Sequence, residues 1–283
     1  MELGGSVMTV DEAVRKAKQD YGVSETLEPS ELNSLLDVLQ QTVGLYPEHP
    51  AVTSLGNTLS YTSLDELSTA FAAYLKHSTK LEPGDRVAIQ MPSLAQYLVV
   101  AYGAFKAGLV AVNINPLYTE DELEYQFGHA DVKAVVVFDK FLPVVEAVRE
   151  KTPLEYVFVT SPFDLHPPVK RLLMSLVVKL MGKSVSSDKV IPLRTALAAN
   201  VENFTPATLA PDDMALLQYT GGTTGVSKPA IISHSNMVSV TRQGWEMLRL
   251  ASAKAGEERI VSPLPLYHIY AFALSVTTGV HMG

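Results

Sequence analysis

The spacing of hydrophobic and polar positions changes along the chain, and each change marks a new element. Leu32, Leu35, Leu36 and Leu39 recur at helical spacing until Gly44, which predicts a helix over 32–43. Residues 51–53 and 58–61 read as a hairpin turning at Gly56-Asn57. Ser63 and Glu66 have the spacing of a capping box ahead of Leu67, Phe71, Tyr74 and Leu75, which predicts a second helix. From Arg86 the rhythm becomes strand, helix, strand. Strands are predicted at 87–91, 110–114, 134–138 and 156–159. Between them lie a helix carrying Leu94, Tyr97, Leu98, Ala101, Tyr102 and Phe105 that ends at Gly108, one opened by Thr119 and Glu122, and one over 143–150. Strands this apolar need cover on both faces, so the pattern predicts an α/β fold, a parallel sheet flanked by helices and joined by right-handed crossovers.

Two stretches stand outside that rhythm. Residues 11–21 have a helical charge pattern but few apolar anchors, so 1–31 reads as a loosely held N-terminal arm and 32–283 as the folded part. Residues 161–191 begin with Pro162, Pro167 and Pro168 and continue as a helix over 169–181. There Lys170, Arg171, Lys179 and Lys183 meet no acid, while Leu172, Leu173, Leu176 and Leu180 share a face. Such a helix, over 169–183, can lie on an anionic membrane surface or dock on its own domain with its lysines in water. Further on, a turn-rich link over 200–213 precedes strands at 214–217 and 230–232, a helix capped by Ser235 that runs to Met247, and a short strand at Ile260-Val261.

Composition narrows the class. With 283 residues, 47% of them hydrophobic and 18% charged, the chain can bury the core of one large domain or two smaller ones. A formal charge of −8 argues against general nucleic-acid binding. There is no cysteine, which excludes a disulfide framework and fits a cytoplasmic setting. The start of the chain lacks the pattern of a signal peptide, and the most apolar stretch, 94–112, is interrupted by Lys106.

The candidate chemistry centres on Gln218-Tyr219-Thr220-Gly221-Gly222-Thr223-Thr224-Gly225-Val226-Ser227-Lys228, read as a loop between two buried strands. Three glycines allow backbone conformations closed to other residues and leave room for a ligand. Main-chain N–H groups can form an anion-binding concavity, three threonines add hydroxyls, and Lys228 adds a full positive charge. These are the parts a triphosphate needs. The spacing is not that of a Walker loop, because Val226 and Ser227 separate Gly225 from Lys228.

The eleven residues resemble the phosphate loop of the adenylate-forming AMP-binding superfamily, which includes acyl-CoA synthetases, luciferases and peptide-synthetase adenylation domains. Tyr61-Thr62-Ser63-Leu64-Asp65-Glu66-Leu67, Pro83-Gly84-Asp85-Arg86-Val87-Ala88, Lys106-Ala107-Gly108 and Asn113-Ile114-Asn115-Pro116-Leu117-Tyr118-Thr119 are similar to bacterial long-chain fatty-acid CoA ligases. One position departs from the family pattern: Pro229 follows Lys228 where the family usually has glycine. Proline fixes φ and removes an N–H.

The resemblance implies a reaction in which ATP and a fatty acid give acyl-adenylate and pyrophosphate, and coenzyme A then displaces AMP. It assigns Thr220, Gly221, Gly222, Thr223, Thr224 and Gly225 to the β- and γ-phosphates. Lys228 would neutralise charge as pyrophosphate leaves, and the Thr223 hydroxyl would lie beside Mg²⁺. Pro263-Leu264-Pro265-Leu266-Tyr267-His268-Ile269-Tyr270-Ala271-Phe272 resembles the family's aromatic-histidine motif. On that basis His268 would orient the acyl carboxylate, and Tyr267, Tyr270 and Phe272 would border an apolar acyl tunnel. Outside that resemblance, a histidine among aromatics is more often a hydrogen-bonded core residue.

The Tyr-Gly-x-Thr-Glu motif, the ribose aspartate, the hinge and the C-terminal lysine domain of the family do not occur in these residues. The sequence therefore reads as an incomplete, N-terminal portion of the AMP-binding domain, expected to have little activity alone, with peripheral contact at the inner face of a membrane and a homodimer both compatible. Ligases for aryl or shorter acids, a non-catalytic nucleotide-binding module and, more weakly, a scaffold protein are the rival readings.

Overall fold

The computed structural model describes residues 8–23, 26, 30–171, 190–219 and 227–283. Its centre is a seven-stranded sheet in the order β7-β6-β5-β3-β4-β8-β9, made of β3 (Arg86–Gln90), β4 (Val110–Asn113), β5 (Val132–Phe138), β6 (Tyr156–Thr160), β7 (Ile191–Pro192), β8 (Met214–Tyr219) and β9 (Pro229–Ser233). Every neighbouring pair is parallel except β8 with β9. The α/β expectation therefore holds.

Alternation along the strands feeds two cores. Val87, Ile89, Ala134 and Val136 face one side, where they meet α2 (Leu35–Leu45), α3 (Tyr61–Ser78), α4 (Ala95–Lys106) and the C-terminal helical segment. Ala88, Val135 and Val137 face the other, against α5 (Glu120–His129) and α6 (Leu142–Val148). Because the period is two and both faces are covered, the strands read as continuous apolar runs.

A close crossing joins α3 to α4. A Cβ added at Gly103 would lie 2.7 Å from the Phe71 ring and 3.0 Å from the Ser68 carbonyl oxygen, so only glycine lets the helices approach this far. Lys106 is buried in the same crossing, where its ammonium donates to the Asp65 carboxylate at 2.6 Å and to the Thr69 hydroxyl at 2.8 Å. Burial lowers its pKa, and Asp65 opposes the shift. The lysine that interrupts the apolar stretch thus serves a paired, internal site.

Several boundaries differ from expectation. The hairpin of β1 (Pro50–Ser54) and β2 (Asn57–Ser60) turns at Leu55-Gly56, both at positive φ, and not at Gly56-Asn57. Helix α3 is capped by Ser60 rather than Ser63, and α7 (His234–Leu250) by Ser233 rather than Ser235. In both cases the last residue of a strand already has the extended backbone an N-cap requires. Ile260-Val261 forms no strand, and Val261 is 84% exposed.

The buried strand expected at 230–232 is instead the edge strand β9, where Ile231 is 67% exposed. Pro229 is its first residue, a place where a missing N–H is tolerated. The arm contains a regular helix, α1 (Val10–Asp20), closed by a Thr9–Glu12 capping box and burying no residue. Most of the basic helix expected over 169–181 lies outside the described residues. At its start Lys170 donates to the Gly56 carbonyl at 3.3 Å. Among the described residues no helix is long and apolar enough to cross a membrane.

Candidate nucleotide site

The parallel strands end along one rim of the sheet, the edge at which ligands bind in open α/β folds. Strand β8 ends there at Tyr219, directly before the glycine-threonine stretch, and β9 returns from Pro229 paired with Tyr219. Nine residues connect the two strands. Thr220, Gly221, Gly222, Thr223, Thr224 and Gly225 lie outside the described residues, as does Val226; Ser227 and Lys228 follow, and Lys228 is exposed.

What the structure does show is how the two stems are held. In the β4–β8 register Asn113 stands opposite Gln218. The Asn113 amide donates to the Gln218 side-chain oxygen at 2.9 Å, and Gln218 donates to the Tyr219 carbonyl at 3.3 Å. The Tyr97 hydroxyl in turn donates to the Asn113 side-chain oxygen at 2.5 Å. All three side chains are buried. Burial raises the Tyr97 pKa well above its ordinary value, which keeps the phenol neutral and able to donate.

The outer face of the stems meets α5. Tyr125 donates its hydroxyl to the Ser227 carbonyl at 2.9 Å. The His129 Nδ1 pairs with the Tyr219 hydroxyl at 3.0 Å, and that hydroxyl also reaches the Gln126 carbonyl at 3.4 Å. Burial, with Tyr125 adding to it, pushes the Tyr219 phenol up to about 12.

The aromatic-histidine segment packs on the same rim. Just beyond β3, Ser93 accepts the Leu266 N–H at 3.2 Å and donates to the Leu264 carbonyl at 3.4 Å. His268 is exposed, and its Nδ1 accepts the Tyr270 N–H at 3.3 Å, capping the turn Ile269–Ala271. Tyr267 is half-buried and Tyr270 is 60% exposed. Phe272 is fully buried and stands edge-on to Tyr97, with ring centroids 6.3 Å apart. Phe272 is thereby joined through Tyr97 and Asn113 to the entrance of the glycine-threonine stretch.

The C-terminal segment that carries Phe272 is π-helical over Phe272–Thr278, and Tyr102 donates to its Val276 carbonyl at 2.9 Å. A cavity of about 590 Å³ lies at the opposite edge, where the strands begin, beside Gly84, Gly108, Asp213 and Met214. It is separate from this rim. Sequence reasoning missed Tyr97, Asn113, Tyr125 and His129 as parts of the site. The one signal for the last two was their spacing of four on the side of α5 away from Leu123 and Phe127.

Fold and sequence define the class together: residues 39–283 match the family described as AMP-binding enzyme, and the chain belongs to that family. In particular, it is 37% identical over 265 residues to the long-chain-fatty-acid–CoA ligase of Escherichia coli O157:H7, covering 92% of this chain and 47% of that protein. It is 36% identical to the enzyme of the same description from Haemophilus influenzae, covering 94% and 48%. The crystal structure of a long-chain-fatty-acid-CoA ligase from Archaeoglobus fulgidus superposes with a TM-score of 0.70 at 22% identity, covering 90% of this chain and 46% of that one. The chain thus spans about half the length of the curated relatives it matches.

Proposed function

We propose that this chain contributes the polyphosphate-binding part of a long-chain fatty-acid–CoA ligase. The observation that carries the reading is that β8 ends at Tyr219 and β9 begins at Pro229 on the carboxyl rim of the parallel sheet, and that the sequence between them is rich in glycine and threonine and ends in Lys228. In the proposed reaction a fatty-acid carboxylate oxygen attacks the α-phosphorus of ATP, and the bond to the bridging oxygen of pyrophosphate breaks. The sulfur of coenzyme A then attacks the acyl carbon, and AMP leaves with the bonding electrons. Thr220 to Gly225 offer N–H and hydroxyl donors to the β- and γ-phosphates, while Lys228 stabilises the charge that builds on pyrophosphate.

Mg²⁺ would neutralise the polyphosphate, with Thr223 the proposed hydroxyl beside it. Among the described residues no group of three or more His, Asp or Glu is placed to hold a metal. A magnesium ion bound largely through substrate phosphates needs no such cage. His268 is proposed to orient the carboxylate, with Tyr267, Tyr270 and Phe272 toward the acyl chain. The arm and the AMP-binding part divide near residue 31, and contact with an anionic membrane runs through 169–183. Charge reversal at Lys170, Arg171 and Lys179 that left liposome binding unchanged would remove the membrane contact.

The test is made in the full-length protein containing this span. Fatty-acid-dependent ATP–pyrophosphate exchange should appear, and Lys228→Ala should slow adenylation more than thioester formation. Equal loss in both half-reactions contradicts the role of Lys228. An acyl-chain series with best turnover on aryl or short acids contradicts the substrate class.

A further inference from the structure

We infer that Tyr125 and His129 are positioning residues that hold both stems of the β8–β9 connection in register for the polyphosphate of a nucleotide. The inference rests on the functional reading above and goes beyond it, since these two residues lie outside the glycine-threonine sequence. They stand one turn apart on α5, and each grips a different end of the connection. Tyr125 donates to the carbonyl of Ser227, and His129 pairs with the hydroxyl of Tyr219. Their rings stack on each other with centroids 5.4 Å apart and an interplanar angle of 30°, and the His129 ring stands edge-on to Tyr219 at 6.0 Å. The two grips therefore form one aromatic unit rather than two separate contacts.

The helix beneath the unit is anchored at its buried side and at its start. Leu123 and Phe127 bury the opposite side of α5 in the second core, and the Thr119–Glu122 capping box fixes the start of the helix. On the inner side, the Asn113–Gln218 bond holds the same strand end. Tyr219 is thus held by its side chain from α5 and by its carbonyl from Gln218.

A sequence with three glycines in six residues has many backbone conformations open to it. A cradle of amides discriminates a phosphate only when those amides converge, and fixing both stems lowers the entropy lost on convergence. His129 is exposed, whereas the Tyr125 ring packs against the second core to which Tyr219 belongs; Tyr125→Phe keeps that ring and takes away only the hydroxyl that reaches Ser227. Removing that hydroxyl or the His129 ring should therefore change ligand affinity more than folding.

The experiment measures hydrogen–deuterium exchange of peptides covering 218–229, together with calorimetric titration of MgATP, inorganic pyrophosphate and AMP, in the 283-residue chain. The variants are Tyr125→Phe, His129→Ala and His129→Gln, the last keeping a side chain that can hydrogen-bond toward Tyr219. The expected result is faster exchange in 218–229 for Tyr125→Phe and His129→Ala. MgATP and pyrophosphate affinity should fall about tenfold, AMP affinity should not change, and His129→Gln should recover much of the loss. Unchanged exchange overturns the inference. So does faster exchange with unchanged MgATP affinity, or an equal loss for MgATP and AMP, which would mark a merely structural role. A wild-type chain that binds neither MgATP nor pyrophosphate overturns the polyphosphate reading itself, and the exchange data then decide separately whether the stems are held.

Discussion

The amide of Asn113 donates across the β4–β8 pair to the side-chain oxygen of Gln218 at 2.9 Å, one residue before Tyr219 and the glycine-threonine sequence. This bond places a buried polar link inside an otherwise apolar sheet, with Tyr97 on its other side. A buried amide left without its partner costs about 1–3 kcal/mol. Asn113→Ala should therefore lower stability by about that amount, measured by urea denaturation. Gln218→Ala should behave similarly, and the double variant should lose less than the sum of the two. Additive losses would show that the two side chains are not coupled.

His234 is buried at the start of α7, where its Nδ1 accepts the Leu35 N–H at 3.3 Å and its ring stands edge-on to Phe105. Burial lowers its pKa to about 4, partly opposed by Asp213 and Asp37. The unfolded chain binds the proton first as pH falls, so stability from the neutral ring is complete above the unfolded value near 6.5 and is lost progressively down to about 4. The loss should be on the order of 3 kcal/mol. A pH series of unfolding free energies should show this slope between those limits, and His234→Gln should flatten it.

Two helical glycines should respond in opposite directions. Gly103→Ala drives a methyl against Phe71 and the Ser68 carbonyl and should destabilise by about 1–3 kcal/mol. Gly44, near the end of α2, has nothing within 4 Å of a built Cβ, so Gly44→Ala should stabilise by about 0.5–1 kcal/mol. Thermal melts of the two variants check both signs.

The parallel architecture was legible because its strands are apolar on both faces and its helices repeat at 3.6. Boundaries were less so. Ser60, Thr62 and Ser63 all have cap-forming side chains, and the end of β2 selects the first of them. Ser233 and Ser235 pose the same choice, decided by the end of β9. Ile260 and Val261 have strand-forming side chains, but two residues without a ladder do not make a strand. The central place of β3, flanked by β4 and β5, is a long-range relationship that local pattern does not encode.

In the sequence, attention falls where composition is unusual, on the glycines and threonines before Lys228 and on the aromatics around His268. It passes over ordinary residues that act through position. Tyr125 and His129 look like any solvent-facing pair on an amphipathic helix. Asn113 looks like the polar end of an apolar strand. Only the sheet register brings Asn113 to Gln218, and only the packing of α5 brings His129 to Tyr219.

The central claim is that the β8–β9 connection grips the polyphosphate of ATP. The most direct measurement is calorimetric titration of MgATP into the wild-type chain and into Lys228→Ala, each repeated with pyrophosphate as competitor. The account predicts binding that pyrophosphate displaces and that weakens about tenfold or more without the ammonium group. Binding of equal strength in both proteins, or binding that pyrophosphate does not displace, would contradict it.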